Sequence, residues 1–237
     1  MIFYRTLMPF QVISFDFDDT LYDNTQVIAN AEAEFIRFVQ THGGITDLDQ
    51  ESWCVWKQHT AKQDPLLQED VTLWRTQSLQ ALLATRQKSA VEISDISSQA
   101  MQYFLHWRHQ ITVPTQSLEI LKRLKQRYKL VAITNGNVDP TRIGLDYFDV
   151  ILRGGEHGRT KPHADLFSQT AHYFNIPTHQ ILHVGDNLIT DVQGAMQAGC
   201  QSVWLNSSGK SIYQFNEARI LPTIEMANLV GLLALYA

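Results

Sequence analysis

The short run Val12-Ile13-Ser14-Phe15 breaks off into Asp16-Phe17-Asp18-Asp19-Thr20. A run of this kind stopping at three carboxylates reads as a buried strand that empties into a polar loop. Two later apolar runs end the same way. Leu130 to Ile133 leads into Thr134-Asn135-Gly136-Asn137, and Ile181 to Val184 leads into Gly185-Asp186 and on to Asp191. Helical patterns lie between them: Leu118, Leu121 and Leu124 share one face, and helices are expected over about 164–174 and 190–197, with a further strand at Ser202 to Leu205. Strands alternating with helices imply an α/β fold whose parallel sheet is covered on both faces. In such sheets ligands bind beyond the carboxyl ends of the strands, where the three polar clusters are expected.

The chain between Tyr22 and Thr112 has a different rhythm. Ile28, Ala31, Phe35 and Phe38 recur at helical spacing after Asn24, a candidate N-cap, and Gly43-Gly44 stops the run. Three further helical stretches are expected before Pro114, among them Val71 to Ala84 and one striped by Ile96, Ala100, Phe104 and Trp107, and no strand is expected. Residues 22–112 therefore read as a helical cap inserted into a core formed by 1–21 and 113–237. Trp74 and Trp107 read as cap core before they read as a stacking platform.

The clusters also suggest a chemistry. Asp16 and Asp18, two apart at a strand end, can project to the same side. Together with a phosphate they would repel one another unless a hard cation intervened. Magnesium suits an oxygen-rich, histidine-poor site of this kind, and Asp186 and Asp191 add further carboxylates. Thr134, the backbone of Asn135 and Gly136, and Lys161 could supply donors to a phosphoryl group. Each motif has a plain structural reading taken singly: an acidic turn, a turn, a solvated lysine before Pro162, a helix cap. Their occurrence in order on successive strand ends favours the catalytic reading.

The composition narrows the partners. A formal net charge of -5 works against nucleic acid and anionic lipid. The basic stretch Lys122 to Arg127 reads as the solvated face of a helix. The apolar stretch Leu229 to Ala237 is too short to cross a bilayer. Cys54 and Cys200 lack metal or disulfide spacing, which suits reduced thiols in the cytoplasm. The nine histidines show no H-x-H or H-E-x-x-H spacing, and His183 reads as a satisfied core residue with no assigned role.

Asp16 to Thr20, Thr134, Lys161-Pro162 and Gly185-Asp186 through Asp191 together resemble the four motifs of the haloacid dehalogenase superfamily. The resemblance implies a Rossmann-like core with an α-helical cap and phosphate-monoester hydrolysis through an aspartyl-phosphate. It makes Asp16 the nucleophile and Asp18 the acid and then the base. Thr134 would bind phosphate, and Lys161 would neutralise charge at Asp16 and the phosphate. Magnesium would be held by Asp16, the backbone carbonyl of Asp18 and Asp186, with Asp191 orienting the metal's surroundings or Lys161. Asp18 argues against dehalogenation, while a phosphomutase shares all four motifs. Intact Asp16, Asp18, Lys161 and Asp186 argue against a non-catalytic phosphometabolite binder. A narrower likeness runs through Phe3-Tyr4-Arg5, Asp16 to Asn24, Val71 to Arg75, Thr134 to Asn137, His157-Gly158-Arg159 and Ile181 to Asp186. It is to bacterial phosphatases of riboflavin metabolism acting on flavin mononucleotide and 5-amino-6-(5-phospho-D-ribitylamino)uracil, and it implies a small-molecule substrate with the oligomeric state left open.

Overall fold

A computed structural model describes residues 1–235; Tyr236 and Ala237, the end of the apolar stretch Leu229 to Ala237, lie outside the described residues. The chain divides into two compact units, Met1–Asp23 with Thr112–Gly136 and Gly144–Ala237, and Asn24–Ile111 with Asn137–Ile143.

The first unit is built on a seven-stranded sheet. Its strands in chain order are β1 (Ile2–Phe3), β2 (Val12–Phe15), β3 (Lys129–Thr134), β4 (Val150–Arg153), β5 (Ile181–Gly185), β6 (Gln201–Leu205) and β7 (Ile224–Met226). The spatial order is β1-β7-β6-β5-β2-β3-β4, with all neighbours parallel except β1 against β7. β2 is central and fully buried. Its neighbours are β3 on one side and β5 on the other, so the chain reverses its direction of travel across the sheet here, and such a switch point opens a crevice at the carboxyl ends. Val12, Val131, Ile133, Leu166, Phe167 and Ile181 are among the side chains that form a core cluster of this unit.

The strand expectations hold for β2, β3, β5 and β6, whereas β1, β4 and β7 were not anticipated. The helix expected over 190–197 differs in form. A π-helical turn, Leu188–Gln193, comes first, followed by a single α-turn, Gly194–Gln197.

The second unit contains four α-helices: α1 (Thr25–Gly43), α2 (Gln50–Gln63), α3 (Val71–Ala84) and α4 (Ala90–Arg108). α2 and α4 begin in reciprocal capping boxes, Asp49 with Ser52 and Ser89 with Glu92. Asp70 caps α3 through the amides of Thr72 and Leu73. Asn24 stands at the start of α1 but its side chain makes no capping bond. α1 stops where Gly44 takes a left-handed φ of 70°, a conformation that costs glycine little. Phe35, Trp53, Leu79, Leu82, Leu83 and Phe104 are buried together. Trp107 packs against that cluster, and Trp74 donates its indole N–H to the Lys57 carbonyl at 2.8 Å.

The segment Asn137–Ile143 follows β3 in sequence yet belongs with the helices. Asn137 Nδ2 donates to Thr72 Oγ1 at 3.2 Å, and the Asp139 amide donates to His109 Nε2 at 2.8 Å. No helix among the described residues is long and apolar enough to cross a membrane.

Candidate active site

Each strand end delivers one group. Asp16 follows β2, and its amide donates to the Val184 carbonyl at 2.9 Å, so the ladder between β2 and β5 continues to this residue. Thr134 is the last residue of β3, and Asp186 follows Gly185 at the end of β5. Lys161 lies between β4 and α5 (Asp165–Phe174), and Asp191 lies within the π-turn.

Lys161 ties these groups together. Its side chain is 1% exposed, and Nζ donates to Asp16 Oδ1 at 2.8 Å and to Asp191 Oδ1 at 2.7 Å. Its backbone is clamped as well. The Lys161 amide donates to Asn135 Oδ1 at 2.9 Å, and Asn135 Nδ2 donates to the Lys161 carbonyl at 2.8 Å. The Asn135 side chain thereby holds the lysine loop, in addition to the backbone donation expected of this residue. The Gly136 amide donates to Thr134 Oγ1 at 2.9 Å, which folds the turn after β3 onto its own hydroxyl.

Asp191 is anchored from three directions. Besides Lys161, the Asn187 amide donates to Oδ2 at 3.0 Å and His183 Nε2 lies 3.3 Å from Oδ1. Room for this carboxylate comes from Gly185, where a Cβ would sit 2.3 Å from Asp191 Cγ and Oδ2. The glycine was expected to let the backbone approach a metal site closely, and the group that occupies its open side is Asp191, one of the three carboxylates able to hold a cation. The wider π-turn is a device often found at functional positions, and here it carries Asp191 to that space.

The Tyr22 phenol donates to Asp18 Oδ1 at 2.7 Å, and the Asp18 charge acts on Asp16. Asp186 accepts from Thr20 Oγ1 at 3.3 Å, and its carbonyl accepts from the Trp204 indole N–H at 2.8 Å.

The electrostatics follow from packing carboxylates around one ammonium. Burial pushes Asp16 up to about 7 despite Lys161, with Asp191 adding to the rise. Burial and the nearby Asp191 push Asp186 up to about 6. Burial also acts against ionised Asp191, but Lys161 and the His183 hydrogen bond outweigh it and hold the carboxyl well below its usual range. For Lys161, burial is outweighed by Asp16 and Asp191, so the ammonium persists. Carboxylate oxygens of Asp16, Asp186 and Asp191 lie within 4.8 Å of one another, the one group of at least three potential ligands found among the described residues. This all-oxygen donor set, with more negative charge than Lys161 balances, fits a hard divalent cation.

His183 and Ser14 are the residues that sequence reading left out of the site. Ser14 on β2 and His183 on β5 are register partners on adjacent strands, both 0% exposed, and Ser14 Oγ lies 2.9 Å from His183 Nδ1. Burial pushes His183 down to about 4, so the ring is neutral and its approach to Asp191 is a hydrogen bond. The available signal was a polar residue in each of two otherwise apolar strands.

A doubly wound, mostly parallel core with clustered carboxylates and a buried lysine at its strand ends places the chain among the open α/β proteins whose strand-end site suits an anionic substrate and a divalent cation. The chain belongs to the haloacid dehalogenase-like hydrolase family, whose model matches residues 10–199. It is 40% identical over 237 residues, covering 99% of this chain and 100% of the relative, to the 5-amino-6-(5-phospho-D-ribitylamino)uracil phosphatase YigB of Escherichia coli strain K12. The pyrimidine 5'-nucleotidase YjjG of the same strain is 32% identical over 38% of this chain and 44% of its own length. Among solved structures, a 2-haloacid dehalogenase from Pseudomonas syringae pv. Tomato DC3000 superposes with a TM-score of 0.89 at 29% identity, covering 96% of this chain and 100% of that one.

Proposed function

We propose that this chain is a magnesium-dependent phosphatase of small-molecule phosphate monoesters, acting through an aspartyl-phosphate on Asp16, with 5-amino-6-(5-phospho-D-ribitylamino)uracil as its substrate and flavin mononucleotide as a second. The carrying observation is the Lys161 ammonium bridging the buried Asp16 and Asp191 carboxylates at 2.8 and 2.7 Å. A nucleophilic carboxylate that must approach an anionic phosphoryl group needs fixed positive charge beside it. Likeness to the Escherichia coli phosphatase over nearly the whole of both chains supports the substrate.

In this reading an Asp16 carboxylate oxygen attacks phosphorus, and the bond to the ester oxygen breaks. The Asp18 carboxyl gives its proton to the departing oxygen. Asp18 then takes a proton from water, which attacks phosphorus, releases inorganic phosphate and restores the Asp16 carboxylate. The Tyr22 hydrogen bond orients Asp18 for both transfers. Thr134 and the following amides receive the phosphoryl oxygens, and Lys161 compensates charge on Asp16 and on phosphate. A divalent cation, held by Asp16, Asp186 and the Asp18 carbonyl, would neutralise the remaining repulsion between carboxylates and phosphate. Asp18 also disfavours dehalogenation, since that chemistry has no leaving alkoxide to protonate. The free thiols Cys54 and Cys200 suit a cytoplasmic enzyme.

The test is phosphate release by the purified protein with magnesium and with chelator, over the ribitylaminouracil phosphate, flavin mononucleotide, nucleotides and sugar phosphates. Asp16→Asn is expected to lower kcat by about 10⁴-fold or more, as for loss of other enzymatic nucleophiles. Turnover by Asp16→Asn near the wild-type rate would overturn the mechanism, and an even response across the panel would overturn the substrate.

A further inference from the structure

The Ser14–His183 pair has no part in the four motifs, yet it is built into the centre of the sheet. β2 and β5 are otherwise made of apolar residues and glycine, and a hydroxyl and an imidazole there carry a desolvation cost that an aliphatic pair would avoid. Both are fully buried, and their register pairing sets them side by side on one face. An ionised Asp191 can only accept, so the His183 nitrogen that faces it, Nε2, must carry the hydrogen. Nδ1 of the neutral ring is then an acceptor, and the Ser14 hydroxyl at 2.9 Å must donate to it. Phe167 packs edge to face against the imidazole, with ring centroids 5.0 Å apart. The chain of donors therefore runs one way: Ser14 to His183 to Asp191, with Lys161 donating to the same Asp191 oxygen and to Asp16.

We propose that Ser14 and His183 form a positioning relay that fixes the Asp191 carboxylate in the orientation at which Lys161 can bridge it to Asp16. His183 is thus a positioning residue for the phosphatase reaction. It acts through Asp191 and Lys161 and moves no proton in the cycle. Asp191 sets the tautomer, as hydrogen-bonded partners do for the histidines of other active sites, and the Ser14 hydroxyl holds the ring in place by donating to Nδ1. This inference rests on the phosphatase reading for its kinetic arm but not for its spectroscopic one.

The experiment compares wild type, His183→Leu, His183→Gln and Ser14→Ala, each checked by circular dichroism, with Asp16→Asn as the reference for loss of chemistry. Leu fills the space without a donor, whereas the Gln amide nitrogen can stand near the position of Nε2. We expect His183→Leu to lower kcat about tenfold or more, in the range of other outer-shell hydrogen-bond losses, with KM changed less than about twofold. His183→Gln should recover most of the loss. Nitrogen-15 NMR of the histidine-labelled protein at neutral pH should show His183 protonated at Nε2 alone, in wild type and in Ser14→Ala alike. Equal losses in folded Gln and Leu variants, an unchanged kcat in the Leu variant, or an Nδ1-protonated ring would overturn the relay. Absence of any Asp16-dependent turnover in wild type would overturn the phosphatase reading, and the tautomer would still decide the hydrogen-bond chain.

Discussion

Gly185→Ala should disable the site with a single methyl group. The added Cβ would lie 2.3 Å from Asp191 Cγ and Oδ2 and 2.5 Å from its Cβ, whereas ordinary contact begins at 3.4 Å. The Asp191 carboxyl must therefore retreat by about 1 Å, a displacement that can cost a catalytic site about a hundredfold in rate. That retreat would stretch the 2.7 Å contact with Lys161 beyond hydrogen-bond range and strain the 3.0 Å bond from the Asn187 amide. Overpacking of this kind also costs about 1–3 kcal/mol of stability, read as about 2–4 °C per kcal/mol for a chain of this size. Gly209→Ala is the control. Nothing lies within 4 Å of a Cβ there, but φ is +70°, so the variant should pay only the left-handed backbone cost of about 1–2 kcal/mol and keep its kcat. The assay is kcat with magnesium on the preferred ester, alongside thermal unfolding of both variants. Wild-type kcat in folded Gly185→Ala would refute the reasoning, because it would mean that Asp191 need not hold Lys161 where the structure puts it.

Lys161→Met leaves Asp16 and Asp191 buried without their cation, and loss of one partner from such a cluster should destabilise the fold by about 3–5 kcal/mol; an unchanged urea midpoint would show that the bridge carries no such energy. Glu32 concerns the helical unit: burial acts against its charge, but the hydrogen bonds from Arg75 at 2.8 and 2.5 Å prevail and hold its carboxyl below the usual range. Its contribution is present above the ordinary glutamate pKa and is lost as pH falls through the depressed folded value, so wild-type stability should decline on acidification below about pH 4. Glu32→Gln should be less stable at neutral pH, because the buried Arg75 loses its charged partner, and flatter through that acid window; parallel urea curves at both pH values would contradict the assignment.

The candidate site groups were legible because a polar side chain at the end of a buried strand is costly unless something uses it. Asp16, Thr134 and Asp186 each follow such a run, and a parallel sheet brings strand ends to one edge whatever the details of the helices between them. The helices of the second unit were legible because Ile28, Ala31, Phe35 and Phe38, and again Ile96, Ala100, Phe104 and Trp107, recur at helical spacing, and Ala31, Phe35, Ala100 and Phe104 are buried in one cluster. β1 and β7 were not, because two or three residues give no period to count, and β4, although as long as β2, is only partly buried. The helix expected over 190–197 begins as a π-turn at Leu188–Gln193, because the side-chain pattern does not record which carbonyl each amide meets.

The roles of Asn135, Ser14 and His183 escaped for a different physical reason. Each depends on a partner far away in the chain: Asn135 on the Lys161 backbone, and Ser14 on a histidine 169 positions later. Within its own strand, His183 is one polar residue among apolar neighbours, for which burial with satisfied nitrogens is the plain expectation, and that expectation is met. What the strand alone cannot supply is the register between β2 and β5, which pairs Val12 with Ile181 and therefore Ser14 with His183. A shift of one residue would turn the imidazole to the other face of the sheet, away from Asp191. The information is thus shared between two apolar runs, and it becomes functional only when the sheet that buries them also aligns them.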